Sequence, residues 1–339
     1  MNITVSDPFN AKADPALATL EFALDPLVAK REFKRRLPVL SGDGRLRLKA
    51  IRVVRHKLGR RCVVEYDVEV ERPDMPVHEV TILGKVRTRR SGNEGFRQLE
   101  IIWNSGFNAQ SKDRVSVPEP IGVISRFQMW FQRKVKGETA THLLAGPGGV
   151  ALARRVAEAS HKLHCAGVLL DRSHDMADEL RILRECMAKV AVRQPKLAGR
   201  TAKVMAACER LGATVPEPKR CGIHRDFYPA QVMVDGSRLW LIDFDLFCLG
   251  DPGLDVGNFI GHMTEQSLRE RGGAAALADA EQMLEDRFVE LSGETTRVAV
   301  RAYTTLTLVR HIYLSTQFAE RKKFTKAMLE LCEARLGLT

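Results

Sequence analysis

The sequence is short of everything a membrane span, a secreted scaffold or a repeat protein requires. No apolar run approaches the ~18 residues needed to cross a bilayer, so no spanning helix is expected. The seven cysteines, Cys62, Cys165, Cys186, Cys208, Cys221, Cys248 and Cys332, never form a Cys-x-x-Cys pair, which argues against a zinc site or a disulfide framework and for reduced, partly buried thiols. Internal repeats and low-complexity tracts are missing. Met1–Ala18 has no apolar h-region and carries Asp7, Pro8, Asp14 and Pro15; it does not read as a signal peptide, and a cytoplasmic location is the default expectation.

What is present is a chain of 339 residues, 45% hydrophobic, long enough for two lobes with real cores. The net charge of +11 is unevenly spread. Basic runs crowd residues 30–136: Lys30-Arg31, Lys34-Arg35-Arg36, Arg60-Arg61 and Arg87-Thr88-Arg89-Arg90. Such a half suits an anionic partner (nucleotide phosphate, nucleic acid or anionic lipid), or is simply a solvated face. No nucleic-acid-binding motif accompanies the charge, so nucleic acid is a remote reading, and no membrane partner is expected.

Residues 1–45 read as a lead-in with helical patches, interrupted at Pro38 and Ser41-Gly42-Asp43-Gly44. The hydrophobic period then becomes two. Leu46, Leu48, Ala50 and Val53 start a first strand, Cys62–Val70 a second, and Val77–Arg87 a third after a turn at Arg72-Pro73-Asp74-Met75-Pro76. Phe96, Leu99, Ile102 and Trp103 place a helix over Glu94–Ser105, and strands follow at Ile121–Ser125 and Phe127–Val135. Beyond Lys136 the pattern is mainly helical: a helix opened by Gly146-Pro147-Gly148-Gly149 and running to about Ala166, helices near 174–193 and 196–211, and two or three helices within 258–337. The expected fold is α+β and bilobal. Residues 1–135 form a lead-in and a small lobe with a five-stranded antiparallel sheet and one helix; residues 136–339 form a larger helical lobe.

The chemistry concentrates in Gly222-Ile223-His224-Arg225-Asp226-Phe227-Tyr228-Pro229-Ala230-Gln231 and in Leu239-Trp240-Leu241-Ile242-Asp243-Phe244-Asp245. A loop with His, Asp and an amide precedes two short apolar strands and a terminal Asp. Phosphoryl transfer needs one carboxylate to orient and deprotonate a hydroxyl, a second to hold Mg²⁺ on a triphosphate, and an amide oxygen able to take a further metal. Asp226, Asp243 and Gln231 meet that specification in order, within the segments 222–234 and 239–258.

These segments resemble the aminoglycoside phosphotransferase/choline kinase family, the small-molecule branch of the protein-kinase-like fold. The family loop, His-Gly-Asp with an Asn five positions after the Asp, corresponds to His224, Arg225, Asp226 and Gln231; its metal Asp corresponds to Asp243. Its Gly-Asp-Pro-x-x-Asp stretch corresponds to Gly250-Asp251-Pro252-Gly253-Leu254-Asp255. The chain departs from the pattern twice, with Arg225 for Gly and Gln231 for Asn.

The resemblance implies ATP and Mg²⁺ as cofactors, nucleotide binding between the lobes, and a small-molecule hydroxyl as acceptor: a sugar, an amino alcohol or an aminoglycoside-like compound. It places catalysis on Asp226 with His224 and Arg225 beside it, and metal on Asp243 and Gln231. Lys85 is the candidate phosphate cation. Glu94 or Glu100 would partner it, although the family's acid aligns nearest Gln98. Arg60 and Arg61 would cover phosphate from the loop Lys57–Arg61, and Gln132 and Arg133 would lie where adenine is read. Asp255 would lock the loop, His161 and His164 would pack or face solvent, and Asp245 and Asp251 would assist metal or form turns. A near-neutral C-terminal part favours a neutral or anionic acceptor over a polycationic antibiotic. Only eleven residues separate Asp243 from Asp255 and no Ala-Pro-Glu follows, leaving little room for a peptide platform. The alternative is a nucleotide-binding scaffold without turnover.

Overall fold

Alternation of apolar and polar residues over the first third of the chain makes strands, because successive side chains on a strand face opposite sides. The computed structural model describes residues 3–42, 44–71, 76–88, 92–168 and 170–338. Two compact units appear, Met1–Lys136 with Trp240–Asp245, and Gly137–Leu239 with Leu246–Thr339. Asp43, Arg72–Met75 of the expected turn, and Arg89 and Arg90 of the basic run lie outside the described residues.

The first unit contains β1 (Thr4–Ser6), α1 (Leu20–Ala23), α2 (Pro26–Arg36), α3 (Pro38–Ser41), β2 (Arg45–Lys57), β3 (Arg61–Glu71), β4 (His78–Arg87), α4 (Gly92–Ile102), the short β5 (Val115–Ser116), β6 (Pro120–Ile124) and β7 (Met129–Arg133). Its main sheet has six strands in the order β1-β2-β3-β4-β7-β6, one more than expected. The sixth is β1, paired parallel to β2 with Thr4 opposite Ala50. The other neighbours are antiparallel. The helix expected over Glu94–Ser105 starts at Gly92 and loses regular geometry from Trp103 to Phe107.

The lead-in is part of this unit's core. Phe33 of α2 meets Tyr66 of β3 and Phe131 of β7 edge-on, at centroid separations of 4.9 and 5.5 Å. The Tyr66 hydroxyl donates to the carbonyl of Ala23 at 3.1 Å, so the buried phenol keeps a partner. Burial of these aromatic faces binds residues 11–37 to the sheet. Pro38, read as a break, instead opens α3, where its fixed φ suits a first helical turn.

The second unit contains β8 (Glu138–Thr139), α5 (Ala140–Leu143), α6 (Gly149–His164), α7 (Met176–Arg193), α8 (Ala198–Ala213), β9 (Cys221–Ile223), β10 (Val232–Asp235), β11 (Arg238–Leu241, its last two residues in the first unit), β12 (Cys248–Gly250), α9 (Pro252–Glu270), α10 (Ala278–Ser292), α11 (Thr296–Gln317) and α12 (Thr325–Arg335). Four helices fill the C-terminal part where two or three were expected, and α9 begins six residues earlier than the pattern suggested. Asp251 caps it by accepting the Gly253 N–H at 2.8 Å, and Pro252 occupies the first position. None of the described helices is long and apolar enough to cross a membrane.

Helix α9 lies unusually close to α11. A Cβ on Gly257 would come within 2.6 Å of the Val300 carbonyl oxygen, and one on Gly261 within 2.7 Å of the Thr307 methyl. Their spacing of four places both on one face, and this approach sinks Asp255 and Asn258 into the interior beside β9.

Candidate active site

The candidate catalytic loop starts at the end of β9, which pairs antiparallel with β12 so that Ile223 faces Cys248. The chain then turns through Arg225 at φ 68°, a left-handed conformation that costs a non-glycine residue about 1–2 kcal/mol. This explains the family's glycine at the position. The strain is held by Asp255, which is fully buried. Its Oδ2 accepts the His224 N–H at 2.8 Å and its Oδ1 the Arg225 N–H at 2.7 Å. His164 Nε2 lies 2.9 Å from the same Oδ2. Asp255 therefore locks the loop through backbone amides, and His164 belongs to the lock rather than to general packing.

The far side of the loop has its own brace. Asn258 Nδ2 donates to the Phe227 carbonyl at 2.8 Å, while its Oδ1 accepts from Arg310 at 2.5 Å and from Thr307 at 3.3 Å. A 3₁₀ turn over Pro229–Gln231 follows, with the Gln231 N–H on the Tyr228 carbonyl at 2.8 Å. Asp226 thus sits between two pinned neighbours. Its own half-buried carboxylate makes no hydrogen bond or ion pair among the described residues, and a fixed but unengaged carboxylate is what a general base needs before substrate arrives. Gln231, the expected metal-binding amide, is buried at the end of that 3₁₀ turn, five residues after Asp226.

An aromatic and imidazole surface continues from the loop. Tyr228 stacks on His262 at 4.6 Å and 21°, and His262 meets His311 edge-on at 4.5 Å. Burial, then the charges of Arg310 and Arg321, push the His262 imidazole down to about 3. Burial likewise holds His311 well below its ordinary range, helped by His262 and nearby arginines. Both rings are therefore neutral at any physiological pH. A separate cavity of about 890 Å³ in this unit is lined by His161, His164, Cys165, Asp251 and Ser292, among others; neither Asp226 nor Gln231 lines it.

The first unit holds the other carboxylate. Asp243, just beyond β11, also adopts a left-handed backbone, φ 66°. Arg87 at the end of β4 pairs with Asp245 and lies 3.9 Å from Asp243. Asp245 is thus an ion-pair partner, and Asp251, as the α9 cap, a turn former. Lys85, two residues before Arg87 and on the same face, has its ammonium 4.8 Å from the centre of the Trp130 ring. Burial lowers its pKa from the ordinary lysine value; Asp243 opposes the shift, and Arg87, Arg61 and Arg55 reinforce it. Helix α4 also packs on Trp130, where a Cβ on Gly95 would come within 2.6 Å of the indole nitrogen.

Among the described residues Lys85 forms no ion pair with either candidate acid. Glu94 is half-buried and Glu100 is exposed. The more informative residue on α4 is Gln98, whose Oε1 is buried without a hydrogen-bond partner among the described residues. The loop between β2 and β3 is a hairpin with Gly59 at φ 64°. Its Gly59 N–H donates to Asp14 Oδ2 at 2.8 Å, and His56 Nε2 lies 2.9 Å from the same oxygen. Arg60 is exposed, and Arg61 lies opposite Arg87 in the sheet. Gln132 is buried in β7, and Arg133 is tied to Glu119 by a 2.5 Å ion pair.

A hard cation such as Mg²⁺ takes one or two carboxylates and leaves the rest of its shell to water and phosphate. The half-buried Asp243 suits that role. No group of three His, Cys, Asp or Glu side chains that could hold a metal occurs among the described residues. Sequence reasoning missed Arg87 as the arginine over both acids, Asn258, and His164 as a brace. Asn258 was detectable: three residues after Asp255, it shares that helix face.

Comparison with known proteins bears on the family and the fold. A family model described as the phosphotransferase enzyme family matches residues 92–290, more than half of the chain. No curated protein sequence matches. Among solved structures, a choline/ethanolamine kinase family protein from Mesorhizobium loti is 13% identical, covering 94% of this chain and 93% of its own with a TM-score of 0.56. A choline kinase from Cryptosporidium parvum is 11% identical, with coverage of 92% and 95% and a TM-score of 0.58. A thermostable mutant of an aminoglycoside phosphotransferase, in ternary complex with AMP-PNP and hygromycin B, is 17% identical, with coverage of 89% and 96% and a TM-score of 0.56. These likenesses establish a protein-kinase-like fold, and the chain belongs to the phosphotransferase enzyme family.

Proposed function

We propose that the protein transfers the γ-phosphoryl group of ATP to a hydroxyl of a small molecule. The observation that carries this reading is the Asp226 carboxylate, unengaged on a loop pinned immediately before it by Asp255 and immediately after it by Asn258. Asp226 orients the acceptor hydroxyl and takes its proton as the acceptor oxygen bonds to phosphorus and the bond from phosphorus to the β,γ-bridging oxygen breaks, leaving ADP. Such a reaction is catalysed by positioning and charge stabilisation.

Asp243 would hold magnesium, with Gln231 as a further oxygen donor; bound Mg²⁺ supplies charge neutralisation on the phosphate oxygens. Lys85 grips phosphate, its ammonium fixed against Trp130. Arg87 covers Asp243 and Asp245 while no nucleotide is bound and turns to phosphate when one is. Gln98 is the α4 residue we assign to Lys85, in place of Glu94 or Glu100. The acceptor side is formed around Tyr228 and His262, whose neutral rings offer a stacking and hydrogen-bonding surface without charge. A sugar or amino alcohol suits that surface better than a polycation.

One observation favours the turnover-free alternative. The Gly59 amide, the natural phosphate donor of the β2–β3 hairpin, is occupied by Asp14. A screen for ADP release with sugars, amino alcohols and aminoglycosides separates the two readings. Acceptor-dependent ADP formation that falls about 10³-fold in Asp226→Asn, the scale of a lost general base, supports the kinase. Background hydrolysis alone, unchanged in Asp226→Asn, supports the scaffold.

A further inference from the structure

We infer that the outer face of α2 is a docking surface for anionic lipid headgroups, by which the protein attaches peripherally to a membrane. The face is an uninterrupted stripe: Leu27, Lys30, Arg31, Lys34 and Arg35 recur at the three- and four-residue spacing of one helix side, and all five are exposed. The opposite side, with Ala29 and Phe33, packs on the sheet. The stripe is cationic, and of its four cations only Arg35 is matched by an acid among the described residues. The only acid within α2, Glu32, is buried and turned to Arg35 and, more distantly, Arg126. Lys30, Arg31, Lys34 and the exposed Arg36 have no ion pair among the described residues. These cations are remote in sequence from Lys85, Arg87, Asp226 and Asp243, and nothing in the phosphotransfer reading uses them.

The choice of lipid over nucleic acid rests on what accompanies the charge. A single-stranded nucleic acid is bound through open aromatic faces interleaved with cations. Here the nearby aromatic, Phe22, is covered by the Arg126 guanidinium at 4.7 Å. The most exposed apolar groups of α2 and α3 are aliphatic: Leu27, on the stripe itself, is 78% exposed and Val39 of α3 is 50% exposed. Cations that reach headgroup phosphates, flanked by aliphatic side chains able to enter the acyl boundary, are the features of a helix lying in a bilayer interface. Each Lys or Arg near an anionic surface multiplies affinity about fivefold.

The test is vesicle co-sedimentation of the intact protein, comparing pure phosphatidylcholine with an equal mixture of phosphatidylcholine and phosphatidylglycerol. The expected result is salt-sensitive binding to the anionic vesicles alone, weakened about 100-fold in Lys30→Gln/Arg31→Gln/Lys34→Gln. A control, Lys322→Gln/Lys323→Gln/Lys326→Gln, removes the same charge elsewhere and should bind within about threefold of the parent, which tests whether position or net charge matters. Leu27→Ser should weaken binding about three- to tenfold without changing the charge. Thermal melts confirm that each variant is folded, since only exposed side chains are altered. Equal loss in the two triple variants, equal binding to neutral vesicles, no vesicle binding, or a short RNA or DNA duplex displacing the vesicles through the same three cations would each overturn the inference.

Discussion

The two carboxylates assigned to phosphoryl transfer are presented in opposite ways. Asp226 stands on a loop whose backbone is braced by the Asp255 carboxylate before it and the Asn258 amide after it, and its own oxygens carry no protein partner among the described residues. Asp243 stands in a cationic field, with Arg87 beside it and Lys85 two residues before Arg87 on β4. Each sits at or next to a residue forced to positive φ, Arg225 at 68° and Asp243 at 66°. Under the proposed function, positive φ in both units helps to aim a carboxylate, but the electrostatics differ. A base that must accept a proton is left without a counter-charge, whereas a metal ligand can be stored under an arginine until phosphate arrives.

The sharpest way to break the comparison is to remove the lock on the first carboxylate. Asp255→Ala strands two buried N–H donors and His164, and should cost about 3–5 kcal/mol of stability. It should also cost turnover beyond what reduced folding explains. Calorimetry and specific activity per folded molecule check both. Asp255→Asn, which keeps one acceptor oxygen, should recover part of the stability, whereas a melting temperature unchanged in Asp255→Ala would show that the loop needs no brace.

A smaller effect is expected at the second carboxylate. Arg87→Ala removes the cation that competes for Asp243 and Asp245, so the Mg²⁺ concentration giving half-maximal nucleotide binding should fall about 3- to 10-fold, the scale of a partly exposed ion pair. Titrating Mg²⁺ at fixed ATP measures it. A higher Mg²⁺ requirement would mean that Arg87 organises the acids rather than shielding them.

A further contrast sets a provided-for carboxylate against an under-provided one. Asp255 receives two backbone N–H groups, while Glu281 on α10 receives only the Thr264 hydroxyl at 3.0 Å. Burial pushes Glu281 up to about 7, opposed by Thr264 and Arg335. Because the folded-state value is raised, the favourable contribution is complete below the unfolded carboxylate range and is lost as pH rises through about 7. Glu281→Gln should therefore leave stability unchanged near pH ~4.5 and raise it by about 1–3 kcal/mol at pH ~8. Melting curves across that range test the sign.

The sequence exposed what is local and hid what is distant. The period-two pattern of Cys62, Val64, Tyr66 and Val68 shows the second strand directly, and the spacing from His224 to Asp255 carries both loop and metal segment within one continuous stretch. The parallel β1 was not legible, because three residues at the chain start pair with a strand more than forty positions away. Asp14 taking the Gly59 amide is hidden for the same reason. The early start of α9 depended on reading Asp251-Pro252 as cap and first turn rather than as metal chemistry. Gln98 and Arg87 became informative only once burial was known, since neither residue type announces a role in a sequence.

The division of labour between the two carboxylates is tested most directly by the thermal shift that ATP·Mg²⁺ produces in the parent protein, Asp226→Asn and Asp243→Ala, measured with and without magnesium. A ligand that binds only the folded state raises the melting temperature by mass action. The shift should persist in Asp226→Asn, which loses chemistry and not binding, and its magnesium-dependent part should vanish in Asp243→Ala. A magnesium-dependent shift that survives in Asp243→Ala, or a shift abolished by Asp226→Asn, would contradict the assignment of metal to one carboxylate and proton transfer to the other.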